Sequence, residues 1–230
     1  KAAEFLSDFQ NNESIEIDGI FTHFARADEP NSGSTQSQLD VFHRLLYQLK
    51  EAGLHPGFVH AANSAAVINF PEAYFDMVRP GIAIFGLDPA PNTPLPDHFR
   101  PALTWKARLT SIRTFPPGHG ISYGSVYVTK GEERIGVMPV GYGDGYRREP
   151  GQKVLVHGQE VDVVGRICMD QSMLQLDGIP DAVPGDEVVL LGKQGDQRIT
   201  AADLANRWGT VIYEVVCGLA DRLPRLYYES

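Results

Sequence analysis

Leu39, Phe42, Leu46 and Leu49 recur at i, i+3, i+7 and i+10, the spacing of one helix face, and Gly53 supplies the stop. Before this helix, residues 15–24 read as a strand, and Phe58-Val59-His60 reads as a second, shorter one. Asn63-Ser64 is a helix N-cap pair, and the short helix it opens must stop by Pro71. Met77-Val78-Arg79 makes a third strand. The order β-α-β-α-β predicts parallel strands joined by helical crossovers. The segment 88–97 then places Pro89, Pro91, Pro94 and Pro96 too close together for a helix or a central strand, and reads as an extended linker.

Beyond the linker the period changes to two. Leu103, Trp105, Ala107 and Leu109 alternate with Thr104, Lys106, Arg108 and Thr110. Residues 135–140 and 188–191 are further strands. Residues 154–164 read as a hairpin turning through His157-Gly158-Gln159-Glu160. Helices are expected at 200–208, where Thr200 and Asp203 have capping-box spacing, and at 211–219. The expected organisation is an α/β part over residues 1–97 and a mainly β part over 98–230. Three strands in the first part do not close a barrel. They are either a small open α/β unit or the last strands of something larger.

Composition narrows the function classes. The 230 residues carry 20 basic and 29 acidic side chains, a net charge of −9 with no basic cluster, which argues against a nucleic-acid partner. No apolar run approaches the roughly 20 residues of a membrane span, and the first residues have no signal-peptide core. Two cysteines, Cys168 and Cys217, are too few for a disulfide framework, so a reducing cytoplasmic setting is expected. No second Cys or His stands at ligand spacing from Cys168, so no metal site is expected. A nucleophilic Cys168 is disfavoured because no base lies near it in sequence.

The chemistry-bearing residues gather where the parallel strands end, which is where α/β folds place their sites. His23 ends the first strand, His60 followed by Asn63-Ser64 ends the second, and Arg79 followed by Pro80-Gly81-Ile82 ends the third. Singly, these are a structural histidine, a helix cap and a surface cation. Repeated on three successive strands, they can face one pocket. Ser64 and the backbone N–H groups after Gly81 would suit a phosphate. The second part adds the tyrosine–glycine segments 121–124 and 141–146, and residues 165–170, which mix charged and apolar side chains. Taken alone, the tyrosine segments read as turns with packed rings.

Six segments, in this order and spacing, resemble alanine racemase: Ile20-Phe21-Thr22-His23-Phe24-Ala25-Arg26-Ala27-Asp28; His60-Ala61-Ala62-Asn63-Ser64-Ala65-Ala66; Met77-Val78-Arg79-Pro80-Gly81-Ile82-Ala83-Ile84-Phe85-Gly86; Ser122-Tyr123-Gly124; Gly141-Tyr142-Gly143-Asp144-Gly145-Tyr146; and Val164-Gly165-Arg166-Ile167-Cys168-Met169-Asp170-Gln171. Tyr213-Glu214-Val215 and Arg222-Leu223-Pro224-Arg225 extend the likeness to the end of the chain. The resemblance implies the C-terminal strands of a (β/α)8 barrel followed by a mainly β domain. It also implies pyridoxal 5′-phosphate (PLP), interconversion of L- and D-alanine for peptidoglycan, and a homodimer with shared sites. Tyr123 would be the base on one face of the substrate α-carbon. Arg79 would face the pyridine nitrogen, with His23 and His60 in the hydrogen-bond chain between them. Asn63, Ser64, Gly81, Ile82 and Tyr213 would hold the phosphate end of the cofactor. Met169 and Asp170 would meet the substrate, Tyr142 would line the entrance, and Asp28, Arg148 and Arg166 would line an access corridor.

One feature of the family is absent. Its PLP-bearing lysine sits in a motif like Val-Lys-Ala-Asn-Ala-Tyr-Gly, and none of Lys1, Lys50, Lys106, Lys130, Lys153 and Lys193 has such a context. The expectation is therefore the C-terminal part of an alanine racemase, carrying one of two bases and inactive alone. A serine or broad-range racemase, or a non-catalytic dimerisation or phosphate-binding module, are the rival readings. An ordinary phenol ionises near pH 10, so a tyrosine base at neutral pH needs roughly 4 kcal/mol of help. A neighbouring cation supplies roughly 1–3 pKa units of it.

Overall fold

The computed structural model describes residues 2–10 and 12–228, so Lys1 lies outside it. The chain divides into two compact units between Ala102 and Leu103.

The first unit opens with α1 (Ala2–Gln10), a helix that the sequence pattern does not predict. Its signal is Phe5 and Phe9 at i, i+4, whose ring centroids lie 4.6 Å apart. β1 (Gly19–Phe21), α2 (Ser34–Glu51), β2 (Phe58–Asn63), α3 (Ser64–Asn69) and β3 (Met77–Arg79) follow. The three strands form a parallel sheet in the order β1-β2-β3, as the alternation of strands and helices implies. Only residues 19–21 of the expected strand 15–24 pair. Their partner begins at Phe58, whose N–H reaches Asp18 O at 2.8 Å, so residues 15–17 have no strand beside them.

α2 buries Leu39 and Phe42 against Phe24, Phe70 and the alanines 61, 62, 65 and 66. The small side chains of β2 and α3 let helix and sheet approach closely. β2 runs past its expected end at His60 directly into α3. There Asn63 Oδ1 accepts the Ala66 N–H at 3.0 Å, the cap read from the sequence.

The proline segment is not a free linker. Thr93 is fully buried, accepts Asn69 Nδ2 at 3.1 Å and donates to Asp28 O at 3.3 Å. Ala102 N–H closes on Phe85 O at 2.9 Å. These bonds fasten residues 88–102 to the first unit, which is why the division falls after Ala102 and not near 97.

The second unit is antiparallel. β4 (Trp105–Arg108), β5 (Ser111–Phe115), β8 (Glu133–Met138), β9 (Lys153–Val156), β10 (Gln159–Val164), β11 (Ser172–Gln175), β12 (Glu187–Gln194) and β13 (Gln197–Ile199) make one eight-stranded sheet. β6 (Gly120–Ile121) and β7 (Tyr127–Val128) form a separate two-stranded ribbon. The period-two run at 103–110 is one strand only over 105–108. The chain turns a corner at Leu109-Thr110 and continues as β5 beside β8. The hairpin turn is two residues, His157-Gly158 with φ of 49° and 74°, so Gln159 and Glu160 belong to β10. Val154–Val156 and Val188–Leu190 are completely buried, so both faces of the sheet's centre are covered.

α4 (Ala201–Trp208) carries both arms of the Thr200–Asp203 capping box, and α5 (Ile212–Cys217) is shorter than expected because the helix stops at Gly218. Among the described residues no helix is long and apolar enough to cross a membrane, and no group of three or more His, Cys, Asp or Glu could hold a metal ion.

Tyr127 packs into a small cluster with Ile121, Ile135 and Val164 and donates to Glu133 Oε2 at 2.5 Å. Burial and the carboxylate push its phenol up to about 12, with Asp177 and Asp162 adding to the shift. The unfolded chain releases this proton near pH 10, before the folded chain does. Stability therefore falls as pH rises from about 10 to 12. Thermal melts between pH 8 and 11 should show a smaller alkaline decline for Tyr127→Phe than for the parent. An identical decline would contradict this assignment.

Candidate active site

Three of the sequence candidates meet in the first unit. Arg79, at the end of β3, places Nη1 2.6 Å from His60 Nδ1 and Nη2 3.3 Å from His23 Nδ1. Nη2 also donates to Thr22 O at 3.0 Å and to Ala61 O at 3.2 Å. The guanidinium only donates, so both imidazoles accept at Nδ1 and carry any single proton on Nε2. Burial and the neighbouring Arg79 charge lower the His60 pKa, keeping that ring neutral. Phe21 stacks on His60 with centroids 5.2 Å apart and lies 5.1 Å from Arg79 Cζ. The result is a cation fixed by two strand ends and two imidazole nitrogens.

Beside it, the buried Ser64 Oγ accepts the Gly81 N–H at 2.8 Å and the Ala83 N–H at 3.3 Å. β2 and β3 pair Asn63 with Arg79, which brings the start of α3 next to the turn after β3. A Cβ on Gly81 would meet nothing within 4 Å, so space lies open beside this turn.

The second unit holds the other group. Tyr123 is 69% exposed at the tip of the β6–β7 ribbon. Its neighbours Ser122, Gly124 and Ser125 have φ of 64°, 71° and 44°. Two non-glycine residues with positive φ cost about 1–3 kcal/mol each and persist only where the surroundings impose them. Here Ser122 Oγ donates to Arg166 O at 2.5 Å and lies 3.6 Å from Cys168 Sγ. Gly165, itself at φ 70°, lets this chain pass so near that a Cβ would sit 2.9 Å from Ser122 Cβ. Tyr123 therefore opens, on a fixed backbone, onto a cavity of about 460 Å³ that it shares with Tyr142, Arg148, Ile167, Cys168, Met169 and Asp170.

Residues 102–227 match the family described as alanine racemase, C-terminal domain, and residues 1–89 match alanine racemase, N-terminal domain. The chain belongs to the alanine racemase family. It is 47% identical to the alanine racemase of Symbiobacterium thermophilum over 218 residues, which is 93% of this chain and 57% of that protein. It is 44% identical to that of Halothermothrix orenii over 230 residues, which is 99% of this chain and 60% of that protein. The crystal structure of alanine racemase from Bacillus anthracis with bound L-Ala-P superposes with a TM-score of 0.90 at 40% identity, covering 98% of this chain and 58% of that one. The alanine racemase of Clostridium difficile in complex with cycloserine gives 0.88 at 39% identity, covering 96% and 59%. The chain thus spans about three fifths of the length of the relatives it matches.

Within this racemase-family chain, the other sequence candidates are placed more loosely. Arg166 is exposed, with Nη1 3.1 Å from where a Cβ on Gly124 would stand, so it borders Tyr123 from the ribbon side. Arg148 Nε donates to Ile167 O at 3.2 Å. Asp28 lies in the loop after β1, and Tyr213 lies on α5, partly exposed. Asn63 spends its side-chain oxygen on capping α3.

The motif 141–146 also holds Asp144, to which the sequence pattern assigns no role. It is buried, accepts the Gly141 N–H at 2.9 Å and accepts Arg222 Nε at 2.7 Å, and so ties the Tyr142 turn to the chain's last segment. The signal was available, since an acid three residues after the turn's first position has the reach of a cap.

Proposed function

We propose that this chain serves the interconversion of L- and D-alanine with PLP, with Tyr123 moving the proton on one face of the α-carbon. The observation that carries the reading is the fixed, outward Tyr123 over its cavity. A merely packed tyrosine would not be held bare between two strained serines. When bound, PLP would delocalise the electron pair left by the departing α-proton.

The residues fit such a cofactor. Ser64 Oγ with the Gly81 and Ile82 backbone would receive the phosphate, joined in our reading by Tyr213. Arg79, permanently charged and donating only, suits a ring nitrogen kept unprotonated. Met169, through its backbone N–H, and Asp170 would orient the substrate carboxylate. Tyr142 would narrow the entrance, and Asp28, Arg148 and Arg166 would line the way in. The second base, a PLP-bearing lysine, is not recognisable among these 230 residues, and the proposal places it on other sequence. A cytoplasmic homodimer with shared sites and a role in peptidoglycan supply belong to the same proposal. Preference for alanine over serine is assigned to Tyr213, whose phenol would occupy space that a larger substrate side chain needs.

The test is a fusion of these residues behind the lysine-bearing segment of the Symbiobacterium relative. It should convert L-alanine to D-alanine, and alanine faster than serine. A folded, PLP-loaded fusion that converts neither overturns the proposal. In that fusion, Arg79→Glu should release pyruvate alongside D-alanine, at most one pyruvate per cofactor with the amino group left on the cofactor, because a carboxylate there would let the ring nitrogen hold a proton and make the cofactor a stronger electron sink. An unchanged ratio of pyruvate to D-alanine would refute the role given to Arg79.

A further inference from the structure

The ribbon that carries Tyr123 has only two strands of two residues each, and an isolated pair of that size is marginal in water. Something must fasten it to the rest of the unit. Tyr127 stands directly across the ribbon from Ile121, the residue before Ser122-Tyr123. Its ring lies in the small cluster with Ile121, Ile135 and Val164, and its hydroxyl reaches Glu133 Oε2 at 2.5 Å. Glu133 is the first residue of β8, in the large sheet, and its side chain is buried. Its other oxygen, Oε1, accepts the Lys130 N–H at 2.7 Å, which fixes the turn leading out of the ribbon. Just inside that turn, Thr129 N–H bonds His119 O at 3.0 Å and Gly118 N–H bonds Thr129 O at 2.8 Å.

A surface carboxylate would do none of this, and a buried one is costly unless each oxygen is occupied. Here both are occupied, and both by the ribbon strand or its exit turn. The two hydrogen bonds hold the carboxyl well below the usual carboxylate range, so it stays ionised and accepts from both donors at neutral pH.

We propose that Glu133 is a positioning residue for Tyr123, acting through the Tyr127 hydroxyl and the Lys130 N–H to lock the β6–β7 ribbon onto the large sheet. The proposal rests on the role given to Tyr123 above. It adds that the phenol's placement is set from the far side of the ribbon, by residues that touch neither cavity nor substrate. Glu133→Gln keeps the shape but leaves one acceptor for two donors, and Tyr127→Phe keeps the ring and removes the donor.

Two measurements decide it. In the 230-residue chain, hydrogen exchange at the Ser125 and Thr129 amides should be at least tenfold faster in each variant. Exchange at Val188 and Val189, in the centre of the large sheet, should stay unchanged. Ribbon amides that exchange no faster, or amides of ribbon and sheet that accelerate by the same factor, overturn the proposal. In the active fusion, each variant should lower kcat at least tenfold with KM for alanine unchanged, and the double variant should be no worse than the poorer single. Variants that raise KM with kcat intact, or that multiply their losses, overturn it as well. An inactive parent fusion counts against the racemase reading, whereas the exchange experiment reads the lock by itself.

Discussion

Tyr123→Phe should lower L-to-D conversion by the lysine-bearing fusion about 10²–10⁴-fold, the usual contribution of a positioned acid–base group. The substitution removes one oxygen from a ring that is 69% exposed. No packing is lost with that oxygen, and the backbone that fixes the turn is untouched: the Ser125 N–H still reaches Ser122 O at 3.2 Å, and Ser122 Oγ still holds Arg166 O. The melting temperature and the PLP content should therefore match the parent. A loss of rate without a loss of fold separates proton transfer from architecture. A variant with more than a tenth of parental activity would show that Tyr123 is not a base in this reaction.

Gly141→Ala should lower stability strongly. Gly141 has an extended backbone that any residue adopts, so its constraint is purely one of space. A Cβ there would stand 2.1 Å from Cys168 O, 2.6 Å from Met169 C and 2.7 Å from Asp170 N, all of them backbone atoms with no rotamer to change. The two segments would have to part. Parting them breaks the Tyr142 N–H to Cys168 O and Gly143 N–H to Met169 O bonds, at 3.0 and 2.7 Å. Overpacking typically costs about 1–3 kcal/mol, and the loss of two backbone bonds raises this to about 3 kcal/mol or more. The melting temperature should drop by on the order of 10 °C. Gly178→Ala, where a Cβ meets nothing within 4 Å, should stay within about 0.5 kcal/mol of the parent. Equal melting temperatures for the two variants would mean that the Tyr142 turn and residues 168–170 are not packed as described.

The parts of the fold that could be read from the sequence are those whose cause is local. The α2 stripe, the Asn63 cap and the Thr200–Asp203 box each depend on residues within a few positions, and each stands where the spacing put it. The failures have non-local causes. Residues 15–17 have strand-like composition, but pairing depends on where the partner begins, and that is Phe58. The proline segment reads as a linker because nothing in it announces that Asn69 and Asp28 will hold Thr93. α1 is only nine residues long, too short for its Phe5–Phe9 spacing to make a clear helical pattern.

The candidate site divides in the same way. Strand-end positions gave His23, His60 and Arg79 as a group, and the structure joins them through one guanidinium. Tyr123 could be singled out only through the resemblance to a family. What sets it apart from an ordinary turn tyrosine is the positive φ on both flanking serines and the closeness of Gly165, which no spacing rule encodes. Glu133 offered no signal at all in sequence, because its value lies in what its two oxygens reach.

The most direct measurement follows alanine through the fusion in heavy water. With two bases, each enantiomer exchanges its α-hydrogen and inverts. With the phenol oxygen removed at position 123, the account predicts that one enantiomer still takes up deuterium at the α-carbon while keeping its hand, because only the lysine face can return a proton. Deuterium uptake with undiminished inversion in Tyr123→Phe would contradict it.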